Sequence, residues 1–273
     1  MSTGSKREAN DGGGGSDDPA RTQIAVMWRT LRTERRRVVD EREAFRAFRK
    51  RLTDIDAGGT LKRPASPLRP VGTSTIRSTS PGLVAVRDAY EETVMSVPHY
   101  VEDYDDTYPE SLAAEFGAEM ATALTRGVAL DPRLKRELRR ATERLRVHRA
   151  SFLDTLDMEA ASLEDLADPL LEVTTEIETI AAADFDGMDF GALDAYCART
   201  ETLRDRCAEH ARERQAVLHR QRRELRVPGD SRDVPRYLYR EQSARYPILS
   251  MLADRIDRLD ELRSTVERAI ARY

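Results

Sequence analysis

The chain has 273 residues, 34% of them charged and only 6% aromatic, with a net charge of −4. Globular chains average about 25% charged residues, so the excess points to long, solvated helices. The near balance of charge argues against a whole-protein polyanion binder. The length allows one or two domains with a real core. Cys197 and Cys207 stand ten apart in a helical stretch, about 15 Å along a helix and beyond disulfide reach. They read as small buried apolar residues in a reducing interior. No apolar run approaches the ~20 residues that span a bilayer, and the N-terminus lacks a hydrophobic leader, so the sequence reads as soluble and cytoplasmic.

In chain order, residues 1–18, with glycines at 12–15, read as a disordered tail. A heptad helix is expected over 19–57, capped by Asp18, opened by Pro19 and closed by Gly58 and Gly59. Its Ile24, Leu31, Val38, Phe45 and Leu52 recur every seven positions, and Met27, Phe48 and Ile55 sit three further on. Glu34 and Glu41 take the two middle equivalents, so the seam is apolar at its ends and mixed in its centre. This seam is the candidate surface for self-association. Residues 58–80, rich in Pro, Gly, Ser and Thr without periodicity, read as a flexible linker to a helical body at 81–273.

Within the body, Ser80-Pro81 starts a helix with the face Leu83, Val86, Tyr90, Val94 and Val97. After VPHYVEDYDDTYPES (Val97–Ser111), Pro109 starts another with Leu112, Phe116, Met120 and Leu124, closing at Gly127. Asp131-Pro132 opens a long helix through Leu134, Leu138, Leu145, Phe152, Leu156 and Leu163, which Pro169 is expected to break. Leu170, Val173, Ile177 and Ile180 follow, then a turn at Asp186-Gly187. A helix from Asp189 to Arg226 carries a weaker seam of Leu193, Cys197, Leu203, Cys207, Val217 and Leu225. A short helix follows Pro235, and a last one starts at Pro247 with Leu252, Leu259 and Val266 in sevens. Nothing alternates as a strand. The expected fold is all-α, an elongated bundle with long coiled-coil-like helices.

Charge is segregated. Residues 29–51 hold ten basic side chains against four acids, while 150–198 hold thirteen acids and no Lys or Arg. Such blocks most simply neutralise one another when helices pack. A nucleic-acid reading of the arginine-rich 29–51 helix is weaker, because acids interrupt it and no recognition motif or stacking platform accompanies it. A lipid-surface reading is weaker too, the apolar face being a narrow seam.

No phosphate loop, GxSxG, HExxH, CxxC or ExxH pattern occurs, so neither cofactor nor catalytic residue is assigned. His148 lies between Leu145 and Phe152 on the apolar line and reads as a core or boundary residue. The Val97–Ser111 stretch is the one candidate. His99 and the acids Glu102, Asp103, Asp105 and Asp106 have oxygen-rich chemistry for a divalent cation. The EF-hand spacing fails, however, with no Gly at the sixth position and Ala114 at the twelfth. Acids before Pro109 also suit the following helix N-terminus, and the tyrosines suit rings on apolar neighbours with wet hydroxyls. A helix-linking corner ranks first. A partner surface of His99, Tyr100, Tyr104, Asp105, Asp106 and Tyr108 ranks second, and a metal or catalytic centre last.

ERRRVVDEREAFRAFRKRL (Glu34–Leu52), YEETVMSVPHYVEDYDDTYPESLAAEFG (Tyr90–Gly117), LKRELRRA (Leu134–Ala141) and FLDTLDMEAASL (Phe152–Leu163) resemble a family of uncharacterised haloarchaeal helical proteins. The resemblance spans most of residues 20–273. It implies a halophilic archaeal cytoplasm, where salt screens exposed ion pairs, and it implies no activity. The resulting expectation is a non-enzymatic helical interaction or scaffold protein with a protein partner or self-association through its heptad helices. The alternatives are nucleic-acid association through 29–51 and, last, a metal-dependent site around His99 and Asp103–Asp106.

Overall fold

The computed structural model describes residues 19–57, 80–224 and 233–272. The expected tail, nearly all of the expected linker, Asp18, Gly58, Gly59 and Leu225 lie outside the described residues. Among the described residues every regular element is an α-helix, as the patterning anticipates. They are α1 (Pro19–Asp54), α2 (Pro81–Glu91), α3 (Tyr100–Asp103), α4 (Tyr108–Phe116), α5 (Ala118–Arg126), α6 (Pro132–Ala181), α7 (Phe190–Glu224), α8 (Val234–Leu238) and α9 (Pro247–Ile270). None is long and apolar enough to cross a membrane.

Local chemistry explains most boundaries. Proline opens α1, α2, α6 and α9, where its missing N–H costs nothing. The Asp131 carboxylate accepts from the backbone N–H groups of Arg133 (2.7 Å) and Leu134 (2.9 Å), capping α6. The Asp189 carboxylate likewise accepts from Ala192 N–H at 2.8 Å before α7.

Three expectations need correction. Pro169 does not break the long helix: α6 runs through it to Ala181. Losing one backbone bond costs about 3 kcal/mol, less than burying Leu166, Leu170, Val173 and Ile177 on one stripe, each worth about 1.5–3 kcal/mol. α2 stops at Glu91, short of the expected Val97, and the Tyr90 carbonyl there accepts from the backbone N–H groups of Thr93, Val94 and Met95 in a run of turns. The helix expected from Pro109 to Gly127 is two, divided at Gly117, whose φ of +87° places it where side-chain-bearing residues are strained.

The described residues form two compact units, one of residues 19–29, 163–213 and 246–272, the other of 30–57, 80–162, 214–224 and 233–245. The first buries Leu163, Leu170 and Ile180 from α6, Leu193, Leu203 and Cys207 from α7, and Ile248, Met251, Leu259 and Val266 from α9. Cys197 is only half-buried. Arginines pair with acids at the rim of this unit, both in the acidic block and in α9. Arg204 reaches Asp260 at 3.0 Å, Arg206 reaches Glu172 at 3.4 Å, and Arg199 pairs with Glu176. The Arg255 guanidinium donates to Thr174 Oγ1 at 2.8 and 3.0 Å.

The second unit is built on an apolar cluster that includes Phe45, Phe48 and Leu52 of α1, Val86 and Tyr90 of α2, Leu112 of α4 and Leu138 of α6. Edge-to-face rings lock it, Phe48 on Tyr90 at 5.2 Å and Tyr90 on Tyr108 at 5.7 Å. Elsewhere in this unit lies a wholly buried ionic knot. The Glu159 side chain is 0% exposed and Arg214 2%. Arg214 Nη2 donates to both Glu159 oxygens at 2.7 and 2.9 Å, and its Nη1 donates to Ser162 Oγ at 2.9 Å. Gln221 Nε2 (2.9 Å) and the Tyr239 hydroxyl (3.1 Å) complete the carboxylate's shell. Burial and the Glu159 charge push the Tyr239 phenol well above its ordinary range.

Knots of this kind are expensive to break by halves, because a stranded charge keeps its desolvation cost. Glu159→Ala is therefore expected to lower unfolding free energy by about 3–5 kcal/mol. Glu159→Leu with Arg214→Met should recover only part of that loss until Tyr239→Phe and Gln221→Leu remove the remaining orphaned donors. Urea unfolding followed by circular dichroism measures both steps, and a single Glu159→Ala loss under about 1 kcal/mol would contradict them.

Candidate functional site

The Val97–Ser111 stretch folds as a corner over α1 and α6. Thr107 caps α4 together with Glu110, whose carboxylate accepts from the Thr107 backbone N–H at 2.9 Å. That cap replaces the expected role of the Asp cluster at this helix start. Asp105 holds a φ of +47°, a left-handed conformation that Asp tolerates. It is set by the Tyr100 carbonyl, which accepts from both Tyr104 N–H (2.9 Å) and Asp105 N–H (3.1 Å).

The corner divides the residues that the sequence grouped as one surface. His99, Tyr100 and Tyr108 are buried, whereas Tyr104 and Asp105 are exposed and Asp106 is half-buried. Tyr100 donates to the Asp106 carbonyl at 3.4 Å. Val101 is 74% exposed at the tip. Among the described residues no three His, Cys, Asp or Glu side chains converge as a metal requires. The corner's acids turn elsewhere, with Asp103 3.0 Å and Glu102 3.7 Å from Arg37.

What holds the corner is Glu41. Its Oε1 accepts from the Tyr104 hydroxyl at 2.7 Å and lies 3.5 Å from His99 Nε2. Its Oε2 accepts from Arg149 Nε at 3.1 Å. Arg149 also donates to Glu115 at 2.6 Å and stacks over the Phe45 ring at 5.0 Å. Desolvation raises the Glu115 carboxyl above its ordinary value, partly offset by Arg149. Desolvation and the Glu41 charge push the Tyr104 phenol far up, so it stays a donor.

Beside this hub is a cavity of about 260 Å³. Glu34, Val38 and Glu41 supply one wall from α1, and His148, Arg149 and Phe152 supply another from α6. Tyr104 and Tyr237 complete it. His148 is an exposed wall residue, not a core one. Tyr237 donates to Glu34 at 2.9 Å, and its ring meets Phe152 edge-on at 6.0 Å. Among the described residues no Lys, Arg or His nitrogen forms an ion pair with Glu34, and burial raises its carboxyl above the ordinary value. A larger open groove of about 740 Å³ lies in the other unit, but its charged walls pair with each other as Arg199–Glu176 and Arg206–Glu172.

The candidate seam is placed differently from its expected use. Ile24, Leu31, Val38, Phe45 and Leu52 are all buried within the single chain, none more than 6% exposed. The arginines of 29–51 are widely engaged too. Arg35 meets Asp157 at 2.7 Å, Arg49 meets Glu143 at 3.1 Å, and Arg51 pairs with Glu92. The sequence reading missed Arg149, Glu115 and Tyr237. A signal existed for Arg149, which stands on the 3–4 spaced line between Leu145 and Phe152, as Glu34 and Glu41 do on theirs.

Residues 22–263 match the model of a family described as a domain of unknown function, DUF7260. No curated protein and no solved structure matches the chain.

Glu34 yields a pH prediction. Arg37 and Glu41 on its own helix face it, as do Asp103 and the Tyr237 hydroxyl from neighbouring elements. A carboxyl raised in the folded state makes stability fall as pH climbs from its unfolded value of 4.5 through the folded one. Glu34→Gln is thus expected to be more stable than the parent at about pH 7 and equal to it at about pH 4. Thermal melts across that range measure the convergence, and an unchanged difference at both ends would refute it.

Proposed function

Because the chain belongs to the DUF7260 family, a domain of unknown function, we propose its role from its own geometry: a non-enzymatic helical interaction protein that docks a partner at the corner of residues 101–105. The observation that carries this reading is the pairing of an exposed tip with buried anchors. Val101 (74% exposed) and Tyr104 (45%) project from a turn whose His99, Tyr100 and Tyr108 are each at most 8% exposed. A tip held this way loses little entropy on binding, and an aromatic beside an apolar side chain is the common composition of an interface hot spot. Exposed Glu102 and Asp105 flank the tip, so the partner that fits is a protein surface with an apolar contact ringed by basic side chains.

Two findings favour this surface over the others considered. The heptad seam is spent on the chain's own core, leaving a second copy nothing to pack against there. The ion pairs of Arg35, Arg49 and Arg51 support internal neutralisation over a nucleic-acid role for the 29–51 helix.

The test places a photo-reactive amino acid at Val101 in the full chain. A discrete covalent adduct is expected, reduced about tenfold or more by Glu102→Lys with Asp105→Lys, and unaffected by Val128→Lys, which adds a lysine at an exposed residue after α5. An adduct of twice the chain mass would identify a second copy as the partner and replace the heterologous reading. Labelling that ignores the charge reversal, or no discrete adduct at all, would overturn the docking role of this corner.

A further inference from the structure

We propose that the cavity between Glu34, Phe152 and Tyr237 binds a small organic cation, an aliphatic amine or guanidine, whose charged end sits on the Glu34 carboxylate. This goes beyond the docking reading and does not rest on it, since of the tip only Tyr104 reaches the cavity wall and neither Val101 nor the flanking Glu102 and Asp105 line it.

Glu34, Glu41 and Glu115 contribute three carboxylates around this region, and Arg149 is the one guanidinium that bridges two of them, Glu41 and Glu115. Arg37, whose charge acts on Glu34 through space, forms its ion pairs with Asp103 at 3.0 Å and Glu102 at 3.7 Å. Among the described residues Glu34 is left with a single hydrogen bond from a neutral phenol, that of Tyr237 at 2.9 Å. A half-buried carboxylate with one neutral donor, and a guanidinium that acts on it only through space, retains acceptor capacity and lacks a direct ion pair. An ammonium or guanidinium supplies both the missing charge and the missing donors, in a charge-assisted bond stronger than a neutral one.

The walls select the rest of the ligand. Phe152, Val38 and the Tyr237 ring flank the carboxylate and suit an apolar stem, and aromatic faces attract cations besides. The second carboxylate, Glu41, lies seven residues along the same helix, about 10.5 Å by helical rise. Glu41 already accepts from Arg149 and Tyr104, so a second charge on the ligand is tolerated there but adds little. An anion meets the opposite conditions, a surplus of negative charge with its single internal guanidinium already shared. A volume of about 260 Å³ accommodates a chain of several carbons with its nitrogen.

The experiment is calorimetric titration of the full chain with three probes of similar length: pentylamine, cadaverine and glutarate. Both amines are expected to saturate with Kd of about 0.1–1 mM, in keeping with their few heavy atoms, and glutarate is expected not to bind. Cadaverine should bind within about threefold of pentylamine, because Glu41 is occupied. Glu34→Gln should weaken amine binding about tenfold or more, Glu34→Asp should restore most of it, and Phe152→Ala should weaken it less. Circular dichroism of each variant guards against misfolding, with Glu34→Asp as the folded, charge-retaining comparison. Absence of saturation with both amines would overturn the site. So would equal affinity in the parent and Glu34→Gln, which would assign the heat to diffuse attraction by surface acids.

Discussion

A carboxylate removed from water must be met by donors on every side or it destabilises whatever surrounds it. Glu159 is such a group, and its donors come from three residues: Arg214 and Gln221 on α7 and Tyr239 beyond α8, with Ser162, one turn further along α6, accepting from Arg214 in turn. Each partner is useful only if its helix sits at one axial and rotational position. Apolar side chains alone tolerate sliding by a heptad, whereas a charge and its counter-charge do not. The knot therefore sets the register in which α6, α7 and the segment after α8 pack within their unit.

The same device recurs at the corner. Glu41 and Arg149 stand where their helices' 3–4 spacing calls for apolar residues, and each is nevertheless only 15–20% exposed in its side chain. Arg149 cannot leave Glu115 and Glu41 without stranding both. Through Glu41 this tie reaches Tyr104 and so holds the corner on the helical body. The tip at Val101 is thereby presented by a charged scaffold, while the apolar cluster of Phe48, Tyr90 and Tyr108 supports it from below. Glu34 is the exception in this scheme, a seam carboxylate that among the described residues receives a phenol and no ion pair. That difference separates a register-setting charge from one left open to a ligand.

Periodicity and punctuation were enough for much of the architecture. The apolar repeat of α1, the Asp131-Pro132 start of α6, the turn at Gly187 and the Pro247 start of α9 follow from helix geometry and capping, which act over a few neighbouring residues. The departures have causes that lie farther along the chain or outside it. Pro169 stays inside α6 because a long apolar stripe outweighs one lost backbone bond. α7 looked weakly patterned because its true buried line runs through Leu193, Thr200, Leu203, Cys207, Arg214, Leu218 and Gln221, in which three polar residues masquerade as breaks. Val217, expected on that line, is only half-buried.

Sequence alone determined that this protein is helical, where most helices begin, and that its charge lies in opposed blocks, since each of these depends on local propensity or on simple counting. Only the tertiary structure decided what those features are for. It showed that the heptad seam is covered by its own chain, that many arginines of α1 already hold acids, and that the tyrosine corner is half anchor and half exposed tip. Pairing of charges across more than a hundred residues, as between Glu41 and Arg149, has no local signature, because nothing near either residue specifies which helix will face it.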